Sequence, residues 1–402
     1  MVATTHHTTL IIGGGSAGVS VAARLRRAGI TDVGLVEPAD THCYQPLWTL
    51  VGGGCAPLAS SVRPQACVMP AGVAWVRDRA ETIDTDNQVV TTAGGTRIGY
   101  EYLVVCPGIQ LDWTAIPGMG EAVTTPWVSS NYTYELAPKT WEIIRSLRSG
   151  TAVFTMPAGP IKCGGAPQKI AYLACDYWRQ QGVLDDIRVV LVLPTPSLFG
   201  IREFADVLAK VAARYRIEVR VSSELIEVDP DARRAVVIDR VTGATDDIGY
   251  DLMHLVPPQS APDWIKKSPL ADPTDPAGYV CVDKHTLQHT RYPNVFSLGD
   301  SSGSPNAKTG AAVRKQAPVV VANLLSVMTG QPAARQYDGY ASCPLTTARN
   351  KMLLAEFDYS MRPHPTFPPR LVNAQKERRD MWYLKRYGLP LMYWNLLLKG
   401  LA

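Results

Sequence analysis

A strand, a glycine turn, a helix and a second strand ending in glutamate fill the first forty residues, and this order constrains the fold more than any other feature of the chain. Residues 9–12 read as a buried strand, 13–18 (GGGSAG) as the turn, 19–28 as a helix stopped by Gly29, and 32–36 as a strand that ends at Glu37. That is a β-α-β unit. Within it Gly13, Gly14, Gly15, Ser16, Ala17 and Gly18 form a dinucleotide fingerprint whose context carries more weight than its glycines. Gly13 permits the tight turn, Gly15 lets backbone approach a pyrophosphate, and Gly18 lets helix and strand pack closely. The helix N-terminus presents partial positive charge to the phosphates, and Glu37 can accept hydrogen bonds from a ribose. NAD and FAD fit this motif equally well.

The unit recurs once in form. Residues 152–156 read as a strand, 168–181 as a helix, 188–193 as a strand and 201–215 as a helix. The second turn, 157–165 (PAGPIKCGG), lacks the glycine spacing, and Pro157 and Pro160 remove backbone donors that a pyrophosphate would need. Its following strand ends Leu193-Pro194-Thr195, with no carboxylate for a ribose. The fold is kept there and the nucleotide site is lost. Further on, Gly299-Asp300 closes a strand at 294–298, and a helix is expected over 308–328. Flavoproteins with two nucleotide folds carry such an element, which decides for FAD. A helix starting at Lys308, Thr309, Gly310 and Ala311 would point its dipole at the isoalloxazine ring, with Lys308 adding charge.

At 402 residues the chain has room for two or three domains. The expected fold class is α/β: two Rossmann-like nucleotide-binding-type domains and a C-terminal membrane-associating segment. The expected divisions are 1–135 and 256–335 for the two parts of the FAD domain, 136–255 for the second Rossmann-like domain, and 336–402 for the C-terminal part. A net charge of +4 is too small to argue for nucleic acid. Eight cysteines without a Cys-x-x-Cys pair speak against structural zinc, and no metal is expected. No run of apolar residues is long enough to span a bilayer.

Two of the eight cysteines stand in unusual settings. Cys163 lies beside Lys162, just ahead of a helix, where a cation and a helix N-terminus favour thiolate over thiol. Cys343 precedes Pro344, which holds it in extended backbone. Spacing alone leaves open whether the two sulfurs meet. Cys43, Cys55, Cys67, Cys106, Cys175 and Cys281 read as structural. Residues 363–369 read as a linker into the tail. Residues 381–399 mix aromatics, leucines and basic residues, and Pro390 is expected to break them into two short pieces. That composition suits an interfacial segment lying on anionic lipid; the competing reading is a helix docked in the core or in a homodimer interface.

With these motifs together the chain resembles the type II sulfide:quinone oxidoreductases. The likeness covers nearly the whole chain. Its markers are the turn at 13–18, Val36-Glu37-Pro38, YQPLWTLVG at 44–52, IKCGGAPQK at 161–169, DGYASCPL at 338–345 and AEFDY at 355–359. The resemblance implies that Cys163 and Cys343 are the redox pair, bridged at rest by a disulfide or trisulfide. Cys163 would face the flavin and Cys343 would carry the outgoing persulfide. It also implies FAD contacts from Glu37, Gln45, Ala80 through its backbone, Gly299, Asp300 and the 308–311 helix start. The implied substrates are hydrogen sulfide, membrane quinone and a small sulfane-sulfur acceptor such as sulfite, a thiol or cyanide. The first strand begins too early for a leader, so the expected setting is peripheral, on the cytoplasmic face of a bacterial membrane. The rivals are an NAD(P)H:quinone oxidoreductase of the same fold and a non-enzymatic flavin redox sensor or sulfur carrier.

Overall fold

The computed structural model describes residues 5–368, 370 and 373–402. Thr5–Ile12 lies at the centre of a seven-stranded sheet, between Val33–Val36 and Arg97–Val105, and pairs in parallel with both. Ala74–Val76 extends the sheet beyond Val33–Val36. On the far side of Arg97–Val105 lie the antiparallel arm Val89–Thr92 and Ala80–Asp84 and, returning from much later in the chain, Val295–Ser297. Leu10, Ile11, Leu103 and Val104 are fully buried, as parallel strands covered on both faces require. The helices Ser16–Arg27 and Gly310–Met328 pack together on one face, with Val21, Leu25, Val313, Val320 and Leu324 in one apolar cluster.

The second sheet is wholly parallel, in the order Val128–Ser129, Leu252–His254, Gly150–Thr155, Ile187–Val192, Glu218–Arg220. Ala166–Gln180 follows Gly150–Thr155 and is the most enclosed helix near the cysteines; Ile170, Ala171, Leu173 and Trp178 are fully buried. A three-stranded antiparallel layer, Ser223–Asp229 with Arg234–Asp239 and Thr245–Gly249, packs beside it.

Beyond these sheets stands the hairpin Ala341–Ala348 and Lys351–Phe357, in which Cys343 pairs with Ala355. The tip of the hairpin is fastened to both sheet units. The Arg349 guanidinium donates to the carbonyls of Gly53 and Gly54, and its backbone N–H donates to Asp176 at 2.9 Å. The segment read as a linker is also tied down. His364 N–H donates to the Glu356 carbonyl, and Thr366 donates from its backbone and hydroxyl to the buried Glu356 carboxylate. Pro369, the last residue of that stretch, lies outside the described residues.

Pro390 does not break the tail. Helical backbone runs through Arg379–Tyr383, Leu384–Gly388, Leu389–Met392 and Tyr393–Leu397 without a gap. Two of these turns are wide, π-type turns, one before and one after the proline. Their i→i+5 bonding departs from the i→i+4 ladder that a proline interrupts. One face of the segment is docked: Tyr393, Trp394, Leu397 and Leu398 pack on Val19, Tyr44, Leu47 and Leu50. The other face leaves Tyr383, Tyr387, Leu391 and Leu396 exposed.

Candidate active site

The first turn is shaped as its residue types demand. Gly13 has φ +101°, and a Cβ there would strike the Cys106 carbonyl. At Gly18 a Cβ would lie 1.8 Å from the Gly13 carbonyl oxygen, so only glycine lets helix and strand approach. A Cβ on Gly15 would meet nothing within 4 Å, which is the open approach a pyrophosphate needs. Glu37 is fixed by the Gly14 N–H at 2.7 Å and the Ala39 N–H at 2.8 Å, and keeps lone pairs for a ribose. Gly299, at φ +73°, donates its N–H to Gln316 and carries the chain into Asp300. The Asp300 carboxylate receives no hydrogen bond from the described residues. Burial pushes its pKa up, against the opposing pull of Lys308 and Lys162. An open glycine approach, a ribose carboxylate and an orphaned aspartate, all just beyond the C-terminal ends of parallel strands of one sheet, fit FAD.

Cys163 and Cys343, 180 positions apart in sequence, stand with their sulfurs 3.8 Å apart, both as free thiols. Cys163 takes the left-handed backbone conformation, φ +54°, which side-chain-bearing residues avoid and which concentrates at functional sites. It is held there on three sides. Its N–H donates to the Lys308 carbonyl at 2.9 Å, and its own carbonyl accepts from the Ala166 N–H and the Tyr132 hydroxyl. The Lys162 N–H is spent on Gln259. The N–H groups of Lys162 and Cys163 are therefore turned to neighbouring segments and are not free for a second pyrophosphate. Gly165 makes room for the partner thiol: a Cβ there would lie 2.5 Å from Cys343 Sγ. Gly165→Ala, at a φ of −86° that alanine tolerates, is expected to push the sulfurs apart. Sulfide-dependent flavin reduction should slow by at least about tenfold with FAD retained; stopped-flow absorbance at an unchanged rate would show that the gap is not limiting.

The two thiols are electrostatically unequal. The contact with the Cys343 thiol and the Lys169 ammonium, 2.8 Å from its sulfur, hold Cys163 well below the usual thiol range despite its burial. The same contact with Cys163, and burial, push Cys343 well above that range. Burial works against the charge on Lys169, but the neighbouring sulfurs outweigh it and raise its pKa. A second lysine reaches the site from the C-terminal segment. Burial, helped by Lys169, pushes Lys385 down to about 7. Lys162 is pushed down to about 8 by burial; its ammonium donates to Gln45 Oε1 at 2.9 Å, above the rings of Trp48 and Tyr132.

The sequence-derived residues thus gather around two centres. The 13–18 turn and Glu37 form one, with Ala17 packed 3.4 Å from where a Gly299 Cβ would lie. Cys163, Cys343 and Gln45 form the other, joined to it by Asp300 and Lys308. Lys308 differs from expectation. It bridges Lys162 as strand, so the helix starts at Gly310, with Thr309 as its cap accepting from the Ala312 N–H and Ala311 in the first turn. Its ammonium is bound to the carbonyls of Asp300 and Ser302 and lies 3.7 Å over the Tyr279 ring. Ala80 sits on the antiparallel arm, paired with Thr92, and none of its described hydrogen bonds reaches either centre. Sequence reasoning missed Lys169, Lys385 and Tyr132. Lys169 could have been found, since it lies within IKCGGAPQK on the first turns of the helix behind Cys163.

Residues 7–317 match the pyridine nucleotide-disulphide oxidoreductase family. The chain is 42% identical to the mitochondrial sulfide:quinone oxidoreductase of Mus musculus, over 98% of this chain and 87% of that protein. It is 41% identical to the mitochondrial sulfide:quinone oxidoreductase of Dictyostelium discoideum, over 97% and 86%. The crystal structure of the sulfide:quinone oxidoreductase from Aquifex aeolicus shares the fold at 20% identity, with a TM-score of 0.80 over 99% of this chain and 92% of that one. The mitochondrial relatives overturn the expectation of a bacterial protein on a cytoplasmic face. That expectation rested on the residues ahead of the first strand, and a leader is cut from a mature chain, so such an argument does not report the compartment. Family match, near-complete coverage and the flavin-type site agree: the chain belongs to the sulfide:quinone oxidoreductases, and it is an FAD-dependent oxidoreductase.

Proposed function

We propose that Cys163 and Cys343 are the redox pair through which the enzyme oxidises hydrogen sulfide. The 3.8 Å approach of one low-pKa and one high-pKa thiol carries this reading. In the oxidised pair, hydrosulfide attacks Cys343 Sγ. The S–S bond breaks, its electron pair stays on Cys163 as thiolate, and Cys343 becomes a persulfide. Lys169, already 2.8 Å from Cys163 Sγ, stabilises that leaving thiolate. A small nucleophile such as sulfite, a thiol or cyanide takes the outer sulfur. The remaining two sulfurs then re-form their bond, losing two electrons. Bound FAD would supply the two-electron acceptor for that step and the link to quinone. Glu37, Gln45, the 13–18 turn, Asp300 and the 308–311 stretch hold the cofactor in this reading.

An anaerobic titration of the yellow protein tests it. Sulfide is expected to bleach the flavin, NADH to leave it unchanged, and a soluble quinone to restore the colour. Bleaching by NADH alone would overturn the reading and revive a nucleotide site in the second sheet.

The same proposal gives the C-terminal segment a place on the membrane surface. No helix among the described residues is long and apolar enough to cross a bilayer. Yet Tyr383, Tyr387 and Leu391 expose an apolar stripe at helical spacing, with Arg386 stacked on Tyr387. Tyr387→Glu together with Leu391→Glu is expected to lower co-sedimentation with anionic vesicles by at least about tenfold. Undiminished sedimentation would remove the segment from the membrane.

A further inference from the structure

Tyr393 is buried in the docked face of the C-terminal segment, and its hydroxyl sits between two groups of the first nucleotide unit. Ser16 Oγ is 2.8 Å away and His42 Nε2 is 2.6 Å away. The direction of these bonds follows from the far side of the imidazole. His42 Nδ1 lies 3.1 Å from two acceptors, the Gly14 carbonyl and Gln65 Oε1. Gln65 cannot be turned round, because its amide nitrogen already donates to the same Gly14 carbonyl at 2.9 Å. A ring nitrogen between two acceptors carries the proton. Burial pushes His42 down to about 4, so the ring is neutral near pH 7 and Nε2 is a bare acceptor. Tyr393 therefore donates to Nε2, and its oxygen is left to accept from Ser16.

The chain of donors runs from Ser16 to Tyr393, from Tyr393 to His42, and from His42 to the Gly14 carbonyl. It begins and ends in the phosphate-binding turn, passing through His42 and through Tyr393, a residue 377 positions beyond Ser16. Ser16's hydrogen is committed to Tyr393, so the turn offers a phosphate its backbone N–H groups. The clasp is packed as well as bonded: the Tyr393 ring lies 4.4 Å from that of Tyr44, and Trp394 is capped by Arg63 at 4.4 Å.

We propose that Tyr393 is a positioning residue for the cofactor, clasping the phosphate-binding turn from outside and slowing the release of FAD. The inference rests on FAD as the cofactor and not on the sulfur chemistry, so the two readings stand or fall separately. The test uses the full-length holoprotein, with FAD release followed on dilution by the recovery of flavin fluorescence. Tyr393→Phe is expected to release FAD about tenfold faster. The thermal midpoint should fall in both forms, since the hydroxyl's bonds are made without the cofactor, and should fall further in the FAD-bound protein. FAD release at the wild-type rate in Tyr393→Phe would overturn the proposal. An equal fall in the midpoints of FAD-free and FAD-bound protein would do so too, since it would reduce the contact to a general structural one.

Discussion

Replacing Cys163 by serine is expected to lower steady sulfide:quinone turnover by at least about 10³-fold while FAD stays bound. The serine hydroxyl cannot form the S–S bond that hydrosulfide must break, nor leave as a stabilised thiolate. Cys343→Ser should cost as much, and the double variant no more than either single one, because the two sulfurs act as a unit. The flavin spectrum provides the internal check. Both variants should purify yellow, since neither sulfur belongs to the 13–18 turn or to Glu37. Full turnover in either variant would show that sulfide delivers its electrons by another route.

Lys169→Met is expected to produce the second-largest effect, with a signature in pH. Cys163 reacts as thiolate, and its pKa is held down by the Cys343 thiol and by Lys169. An opposite charge at such range shifts a pKa by about 1–3 units. Without the ammonium the Cys163 pKa rises, less thiolate is present at neutral pH, and the acidic limb of the rate profile moves to higher pH. Flavin reduction by sulfide near pH 7 should fall by about 10- to 100-fold and recover as the pH is raised. A uniform loss at every pH would point to disturbed packing; an unshifted limb would mean that the Cys343 contact alone sets the thiolate. Lys385 does not substitute. It makes no hydrogen bond to either sulfur among the described residues, and burial works against its charge.

How much of this was legible in the sequence depended on how far apart the partners lie in the chain. The first nucleotide turn could be read because Gly13, Gly15, Gly18 and Glu37 belong to one local unit whose physics is set by strand, turn and helix. The loss of the second turn could be read for the same reason, from Pro157 and Pro160. The reactive character of Cys163 was visible in its neighbours, but its approach to Cys343 was not, since hairpin and helix lie far apart in the chain and are joined by tertiary packing of Leu345 and Leu353 with Ile170 and Ala171, and by the Arg349 clamp on Asp176. Lys385 and Tyr393 were hidden for a further reason. In the sequence they belong to a segment whose aromatics and basic residues look uniformly suited to a surface, and only the docked face tells them apart from Tyr383 and Tyr387. Pro390 was over-read, because wide turns on either side let a helix pass a proline.

The distance of Cys343 from Cys163 also orders events during synthesis. With chain growth at about 5–20 residues per second, the 180 positions between the cysteines take on the order of ten to forty seconds to translate. Throughout that interval Cys163 has the nearby Lys169 in sequence but lacks both the partner thiol and the buried lysine of the C-terminal segment. The contact that most lowers its pKa is therefore made only after the hairpin has been synthesised.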